Sequence, residues 1–275
     1  MDEPLPEAPA PRNDNSQPAP GARLTDDLLM GLRFYSRLPT GPGEHGIPEL
    51  SRIAMALPFT SIVIALLPAA LLAAAAALGL PGYFAATLGV AALVVVTGAM
   101  AEDGLADAAD GLFGGADPQR RLEIFKDSRH GTYGVCALVL FLLARVTGLG
   151  WAVGSNPLAV AALWIAATML ARSGALWLTI ALPPARADGA SAAAGRVGRR
   201  AFAIGAAFAL VLAFVLAAPL VGVLGLVLAL VLSAAIAAGW TWLCRRLVGG
   251  QTGDLIGALQ ALLEVGALTA FLIFL

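Results

Sequence analysis

The sequence predicts an all-α protein: a polytopic bundle of about seven transmembrane helices, preceded by an amphipathic interfacial helix. Composition is the first reason, since 59% of the 275 residues are hydrophobic, 13% are charged and the mean hydropathy is +0.83. Length is the second, because each apolar run is close to the roughly 20 residues that a bilayer-spanning helix requires. The runs lie at about 53–79, 83–101, 135–154, 158–181, 201–218, 220–243 and 254–275.

The loops between these runs alternate in charge. The uncharged loops are 80–82, 155–157 and 219. The loops with basic residues are 102–134, 182–200 and 244–253. By the positive-inside rule, the N-terminus and the charged loops are expected in the cytoplasm and the C-terminus outside. The 201–243 run is long enough for two spans, and Pro219 is the expected turn between them.

The N-terminal region divides into two parts. Residues 1–22 are rich in proline and contain no apolar run, which predicts a disordered tail and not a signal peptide. From residue 23 onward, leucines at helical spacing beside charged residues indicate the interfacial helix. Residues 23–275 are interpreted as a single integral membrane domain. The net charge of −1 gives no indication of a nucleic-acid partner, and the two cysteines have no paired or metal-binding spacing.

An acidic segment at 102–134 is the candidate functional centre. On a helix, Asp103, Asp107 and Asp110 share one face, at the spacing i, i+4, i+7. Carboxylates so close repel one another unless a cation lies between them, and a hard divalent ion such as Mg²⁺ prefers oxygen ligands. The alternative is a solvated acidic helix end, but the segment directly follows an uncharged apolar run, which favours the metal site.

Basic residues follow the acids at a distance suited to phosphate. Asp117 and Pro118 read as the N-cap and first residue of a new short helix. The cations on and after this helix could clamp phosphate oxygens. They are Arg120, Arg121, Lys126 and Arg129. For the first two, the alternative is that they only mark the cytoplasmic flank of a span.

Two further loops are expected on the same membrane face. Asp188 lies in the loop after residue 182, and Asp254 lies at the expected start of the last helix, where Thr252 can cap. Either acid could complete the site, although an acid in a first helical turn is stabilising by itself. Arg37 could contact a substrate phosphate or anchor the interfacial helix.

Three ionisable residues are predicted near mid-bilayer: Arg145, Arg172 and Glu264. Charges at that depth are costly and are normally paired or functional. We therefore expect Glu264 to pair with one of the two arginines, either to join helices or to form the floor of a polar cavity.

The acidic segment resembles the cobalamin synthase family, also called adenosylcobinamide-GDP ribazoletransferase. The resemblance is carried by E-D-G-L-A-D-A-A-D-G at 102–111 and R-R-L-E-I-F-K-D-S-R-H-G-T-Y-G at 120–134. Weaker blocks are F-Y-S-R-L-P-T at 34–40, P-P-A-R-A-D-G at 183–189 and G-G-Q-T-G-D-L-I-G-A at 249–258. Together they cover about residues 24–275.

This resemblance implies a reaction and a location. A ribose hydroxyl of α-ribazole, or of its 5′-phosphate, would attack the phosphate attached to cobinamide in adenosylcobinamide-GDP, and GMP would leave. The protein would be a multi-pass protein of the bacterial cytoplasmic (inner) membrane with a cytoplasmic active site. The expected partners are the lipid bilayer and Mg²⁺, and no nucleic acid is expected. The protein could form an oligomer.

The resemblance also implies roles for particular residues. The magnesium ligands would be Asp103, Asp107 and Asp110, with Glu102 assisting. The catalytic residues would be Asp110, Asp127, Lys126 and Arg129. Asp127 would be a further metal ligand or the general base, and Lys126 and Arg129 would steady the diphosphate and the leaving GMP. The substrate-binding group would be Arg37, Arg120, Arg121, Ser128, Tyr133, Thr252 and Asp254.

Two other classes compete with this interpretation. A CDP-alcohol phosphotransferase also uses clustered aspartates on membrane helices, but its D-G-x2-A-R run is incomplete here, since residue 108 is alanine. A transporter would place its polar sites at the midplane between internal repeats. This chain instead crowds its carboxylates into one loop and shows no repeat.

Overall fold

The computed structural model describes residues 24–41, 49–127, 129–186 and 195–275. Ten helices follow one another within these ranges. They are α1 (Leu24–Tyr35), α2 (Leu50–Ala77), α3 (Gly82–Thr97), α4 (Met100–Gly114), α5 (Pro118–Ile124), α6 (Thr132–Ala152), α7 (Pro157–Ala175), α8 (Trp177–Ala181), α9 (Arg199–Leu247) and α10 (Gly253–Ile273). In the described part of the chain, β-pairing is limited to one isolated parallel bridge between Pro184 and Gln251. The all-α prediction is confirmed, whereas the 1–22 tail lies outside the described residues.

Several helices begin where the sequence encodes a cap. Asp117, Asn156 and Thr252 each accept a hydrogen bond from the backbone N–H three residues along, at the starts of α5, α7 and α10. Proline follows the first two caps, in the first helical turn, where its missing N–H costs nothing. The predicted Asp117–Pro118 start and the Thr252 cap are therefore confirmed.

Five helical segments are long and apolar enough to cross a membrane: α2, α6, α7 with α8, α9 and α10. The pair α3 and α4 passes the same test only together, and it is bent by 86°. Since α9 has 49 residues, a straight helix of that length would measure about 74 Å, more than twice the roughly 30 Å of a hydrocarbon core.

Helix α9 is in fact a hairpin. Its backbone leaves the helical region at Gly222, where φ is 68° and ψ is 172°. Arg196 donates to the carbonyl of Ile180 and Arg245 donates to the carbonyl of Ala181, each at 3.5 Å, so the two ends of α9 return to the same place. Counting the first arm (199–221) and the second arm (223–247) separately, and the bent pair of α3 and α4 as one span, the bundle has seven candidate crossings, in agreement with the prediction.

The turn of the hairpin differs from the expected one. Pro219 lies inside the helix, and the break comes at Gly222 instead. Proline fixes φ near the helical value and removes one hydrogen bond, so it bends a helix without having to end it. Glycine has no Cβ and adopts a positive φ at little cost, so it is the residue that permits the reversal.

Helix α4 turns sharply away from the axis of α3 and packs against α10 and α6. The sharp bend before it is made by Gly98 and Ala99, whose φ values are 62° and 58°. A Cβ added to Gly104 would lie 2.9 Å from the carbonyl oxygen of Asp254, in the first turn of α10. A Cβ added to Gly134, in the first turn of α6, would lie 2.9 Å from the carbonyl oxygen of Ala106. We call this part of the molecule, formed by α4 and the first turns of α6 and α10, the acidic end.

The core of the bundle is centred on α7, which packs against α2, α9 and α10. Trp164 and Met169 of α7 are almost completely buried there. The amphipathic helix α1 is present as predicted and buries Leu32 and Tyr35 against the same core. An ion pair of 2.7 Å between Asp27 and Arg52 joins α1 to α2.

Candidate functional site

Three carboxylates lie near one another at the acidic end, those of Asp103, Asp107 and Asp254. Asp103 is exposed and Asp107 is half-buried on one face of α4, as the spacing predicts. Asp254, from the first turn of α10, acts electrostatically on Asp107 from the other side. The close approach depends on two glycines, because a Cβ on Gly104 would lie only 3.2 Å from the Cα of Gly257. The sequence offered no signal for this helix contact beyond the small residues themselves.

The electrostatics of Asp107 reflect this crowding. Burial is the largest cause, and the neighbouring carboxylates of Asp103 and Asp254 act in the same direction; together they raise the pKa of Asp107 to about 6. His130 opposes the shift, with its Nδ1 3.8 Å from Oδ1 of Asp107. Negative charge in the cluster therefore exceeds the positive charge available beside it, which is the condition under which a cation binds favourably.

Asp110 has a structural role that sequence reasoning missed. Its two carboxylate oxygens accept hydrogen bonds from the backbone N–H groups of Gly131, at 2.6 Å, and Gly134, at 2.9 Å. It therefore caps the start of α6 from the neighbouring helix and fixes α4 to α6. A side chain at either glycine would collide with this carboxylate. The role of Asp110 as metal ligand or catalytic group stays a prediction.

Glu102 lies in the bundle interior, where the structure pairs it with Arg145 at 2.7 Å instead of gathering it with the other acids. Arg145 also donates through Nε to Glu264, at 3.0 Å, and Trp164 donates to the same carboxylate, at 3.0 Å. The prediction that Glu264 pairs with an arginine is confirmed, and the partner is Arg145. This buried network joins α4, α6, α7 and α10.

Arg172 is the second arginine at this depth. It is only 2% exposed, and its guanidinium lies 5.8 Å from the ring centroid of Tyr35 in α1. Among the described residues, its Nε and Nη1 and the Oε2 of Glu102 are buried without a hydrogen-bond partner. Arg172 thus balances the charge of the network without a direct ion pair to either carboxylate.

The cations after α4 have different partners. Arg121 donates to the carbonyls of Leu112 and Leu247, so it ties the end of α4 to the end of α9. Arg120 is exposed and pairs with Glu123 one turn away, at 2.9 Å. Of these two predicted phosphate contacts, only Arg120 has its guanidinium directed to solvent.

Asp127 and Arg129 pair with each other. Arg129 donates from Nε and Nη2 to the carboxylate at 3.0 and 2.8 Å, and its backbone N–H donates as well, at 3.1 Å. These bonds lower the pKa of Asp127 to about 2, which makes it a weak base while the pair is intact. Lys126 is exposed beside them. Ser128 lies outside the described residues.

The two remaining loops converge on Asp254, as expected from charge alternation. The backbones of 183–185 and 251 exchange two hydrogen bonds, Ala185 N–H to Gln251 O at 2.9 Å and Gln251 N–H to Pro183 O at 2.8 Å. This pairing places Nη2 of Arg186 3.8 Å from Oδ2 of Asp254. Thr252 caps α10 and also donates to the Asp254 carboxylate at 3.2 Å. Asp188 lies outside the described residues.

Arg186 and His130 are the site residues that sequence reasoning did not select. Both lie inside the motifs that carry the family resemblance, which was the available signal. Arg37 packs over the Gly98 turn that leads into α4. Tyr133 is exposed, with its ring 5.9 Å from that of Phe113. Their roles in binding substrate stay predictions.

The donor set of the acidic end suits a hard cation, although the side chains do not form a finished metal site. In the described part of the chain, no three His, Cys, Asp or Glu side chains stand close enough together to hold a metal ion. Asp103, Asp107 and Asp254 nevertheless supply carboxylate oxygens from two helices fixed by glycine contacts, and oxygen is the ligand that Mg²⁺ prefers. The residues therefore fit a magnesium ion by chemistry.

Fold and site together define a class of protein. It is a polytopic α-helical membrane protein whose acidic and basic side chains gather where loops and helix ends meet. The model of the cobalamin-5-phosphate synthase family matches residues 27–272, and the chain belongs to that family. An adenosylcobinamide-GDP ribazoletransferase of Azorhizobium caulinodans is 47% identical over 257 residues, covering 92% of this chain and 97% of the relative.

Other relatives carry the same description. One from Xanthobacter autotrophicus is 45% identical over 261 residues, covering 92% of this chain and 97% of its own. One from Bradyrhizobium diazoefficiens is 39% identical over 246 residues, covering 87% and 90%. No solved structure matches the chain. The resemblance predicted from the motifs is confirmed.

Proposed function

We propose that this protein joins α-ribazole, or its 5′-phosphate, to adenosylcobinamide-GDP with release of GMP, and that the reaction requires Mg²⁺. The family match over residues 27–272 carries the proposal. The carboxylates of Asp103, Asp107 and Asp254, gathered beside Arg186 and His130, provide the chemistry at one end of the bundle.

The bonds made and broken balance without a redox step. The ribose hydroxyl oxygen attacks the phosphorus attached to cobinamide, a new phosphorus–oxygen bond forms, and the bond to the GMP oxygen breaks. The hydroxyl proton passes to a carboxylate of the acidic end. When bound, Mg²⁺ would neutralise oxygens of the diphosphate and so make GMP a better leaving group.

The residues of this chain have distinct parts in that reaction. Asp103 and Asp107 would hold the magnesium ion, and Asp254 adds an oxygen source from α10. Asp110 keeps α4 aligned with α6 through its hydrogen bonds to Gly131 and Gly134. The guanidinium of Arg186 lies beside the Asp254 carboxylate, so it would contact a diphosphate bound at these acids.

Arg129 and Asp127 form a closed pair that a diphosphate could open. Both are at the surface, where an ion pair contributes little to stability and exchanges readily for a stronger anion. On binding, Arg129 would pass from a single carboxylate to the phosphates, and Asp127 would become available as a base. Arg120 and Lys126 lie on the same exposed segment.

The proposed location is the cytoplasmic (inner) membrane of a bacterium, with the acidic end in the cytoplasm. The charge alternation of the loops supports this orientation. A second argument for it is that α4, the loop at 183–186 and the loop at 249–252 all lie at one end of the bundle.

Purified protein in lipid nanodiscs tests the proposal directly. With adenosylcobinamide-GDP, α-ribazole and Mg²⁺, we expect GMP and a corrinoid carrying ribazole to appear in equal amounts by chromatography. Removing the metal with EDTA should stop both, and added Mg²⁺ should restore them. Folded protein that releases no GMP under these conditions contradicts the proposal. The lipid phosphotransferase and the transporter are not favoured by the family match.

A further inference from the structure

A cavity of about 610 Å³ lies between the two arms of α9 and shares no lining residue with the acidic end. Helices α7 and α10 close it from behind through residues such as Gly174 and Leu263, and the arms form its sides with Ala209 and Ala237. The lining is mainly aliphatic and aromatic; its hydroxyls come from Ser173, Ser233 and Thr241. Such a lining binds an apolar ligand.

The cavity opens sideways, between the arms. Leu210 of the first arm and Ala234 and Ala238 of the second line it and are also exposed. The outer faces of both arms expose large apolar side chains such as Val215, at 62%, and Val231, at 57%. Since these faces are the ones that meet lipid in a membrane-spanning hairpin, the opening faces the hydrocarbon interior.

The cavity is elongated. Along the second arm its lining runs from Leu230 to Arg245, which is about 22 Å at 1.5 Å per residue. A slot of this length accommodates an extended hydrocarbon chain.

One end of the slot has the residues of a membrane interface. Trp177, Trp242 and Arg245 line it there. Tryptophan concentrates at the level of lipid headgroups, and arginine binds phosphate. Arg246, next along, packs over the ring of Trp242 at 5.3 Å and adds positive charge. The polar and apolar parts of the cavity are thus arranged as in a phospholipid.

We propose that this cavity is a phospholipid-binding site, in which one acyl chain occupies the slot between the arms of α9 and the headgroup phosphate contacts Arg245. The apolar lining excludes water, so the bound acyl chain fills space between the two arms that would otherwise be empty. The site stands independently of the proposed reaction, because it shares no residue with the carboxylate cluster.

Photolabelling in vesicles tests the site. The protein is reconstituted in vesicles of phosphatidylcholine and phosphatidylglycerol that contain a trace of phospholipid with a diazirine in one acyl chain. After irradiation, labelled residues are mapped by mass spectrometry. We expect label on lining residues of α7 and α9, and excess unlabelled phosphatidylglycerol should reduce it several-fold without changing the label on outer-face residues such as Val231.

Matched variants separate a specific site from general lipid contact. Ala237→Phe fills the slot and should lower the cavity label at least 5-fold, as expected when the space for the chain is lost. Ala235→Phe is the control, since Ala235 is exposed and does not line the cavity. Arg245→Gln should weaken competition by phosphatidylglycerol. If Ala237→Phe does not fold, Ala234→Phe, at the exposed lip, replaces it.

Three results would count against the proposal. One is a wild-type cavity labelled no more than the outer face, or labelled without saturation. Another is a folded filling variant that takes up label as the wild type does. Label that falls equally in Ala235→Phe would also count against a site between the arms.

Discussion

Asp107 shows how one residue acquires its properties from neighbours on another helix. On α4 alone, it would be a carboxylate flanked by Asp103 one turn away. The packing of α10 adds Asp254 and partial burial, and together these raise the pKa of Asp107 to about 6. A divalent cation bound there as proposed would relieve the repulsion and favour the deprotonated carboxylate.

The first prediction concerns this pair of aspartates. Asp103→Asn and Asp107→Asn each remove a carboxylate proposed to bind Mg²⁺, so we expect GMP release to fall by about 100-fold or more and to need more Mg²⁺ for half-maximal rate. Asp26→Asn, on the exposed face of α1, is the control. Full activity in both folded site variants would remove the metal assignment.

A second prediction distinguishes Arg186 from the other loop arginines. Arg186→Gln removes the positive charge that lies 3.8 Å from Asp254 and faces the expected diphosphate. Losing a charged hydrogen bond of about 1.5–3 kcal/mol should raise KM for adenosylcobinamide-GDP by roughly 10-fold or more. Arg199→Gln, exposed at the start of α9, should leave KM unchanged. Equal kinetics for the two variants would exclude a substrate contact at Arg186.

At the scale of helices, the buried network around Arg145 determines how α4 is held. Arg145 forms ion pairs with Glu102 of α4 and Glu264 of α10. These are the two helices that carry the acids of the site. Its side chain is 1% exposed. The network therefore fixes the distance between Asp103 and Asp254 from inside the bundle, although none of its members lies in the acidic cluster.

Arg145→Met is expected to leave the two carboxylates of Glu102 and Glu264 buried without their cation. Breaking a buried pair in this way costs about 3–5 kcal/mol, so the melting temperature in detergent should fall markedly. Arg246→Met is the comparison, because Arg246 is exposed and packs over the face of Trp242. If both variants melt at the same temperature, the network does not contribute as described.

The turn of the α9 hairpin gives a further prediction. Gly222→Ala places a Cβ on a residue with φ of 68°, which costs about 1–2 kcal/mol. Gly239→Ala adds the same methyl group in open space inside the second arm and should be neutral or stabilising. Detergent melting curves compare the two. A Gly222→Ala protein as stable as Gly239→Ala would mean that the reversal does not depend on the left-handed glycine.

At the scale of the whole molecule, the bundle is asymmetric from one end to the other. The acidic end carries α4, α5 and the paired loops at 183–186 and 249–252, whereas the opposite end has short turns such as 78–81 and 153–156. Since short loops that are rich in Lys and Arg stay in the cytoplasm, this asymmetry favours a single orientation.

Cysteine labelling tests that orientation. In a background in which Cys136 and Cys244 are alanine, Gly154→Cys at the far end should react with a membrane-impermeant maleimide added to spheroplasts. Gln119→Cys, exposed on α5, should react only after lysis. The opposite pattern would place the acidic end outside and contradict a cytoplasmic reaction.

The sequence by itself determined what depends on neighbouring residues along the chain. Apolar run lengths predicted the spans, the i, i+4, i+7 spacing placed Asp103 and Asp107 on one face, and Asp117 and Thr252 predicted their caps. These features form within one or two helical turns, so local rules suffice. The motifs in turn predicted the family.

Only the tertiary structure decided which side chains meet across helices. It brought Asp254 to Asp107, turned Glu102 inward to Arg145, used Asp110 as a cap for α6 and placed the hairpin turn at Gly222. The physical reason is that such contacts depend on how closely helices approach and at what angle. Those quantities are set by small residues and bends far apart in the chain, and no periodicity along one helix encodes them.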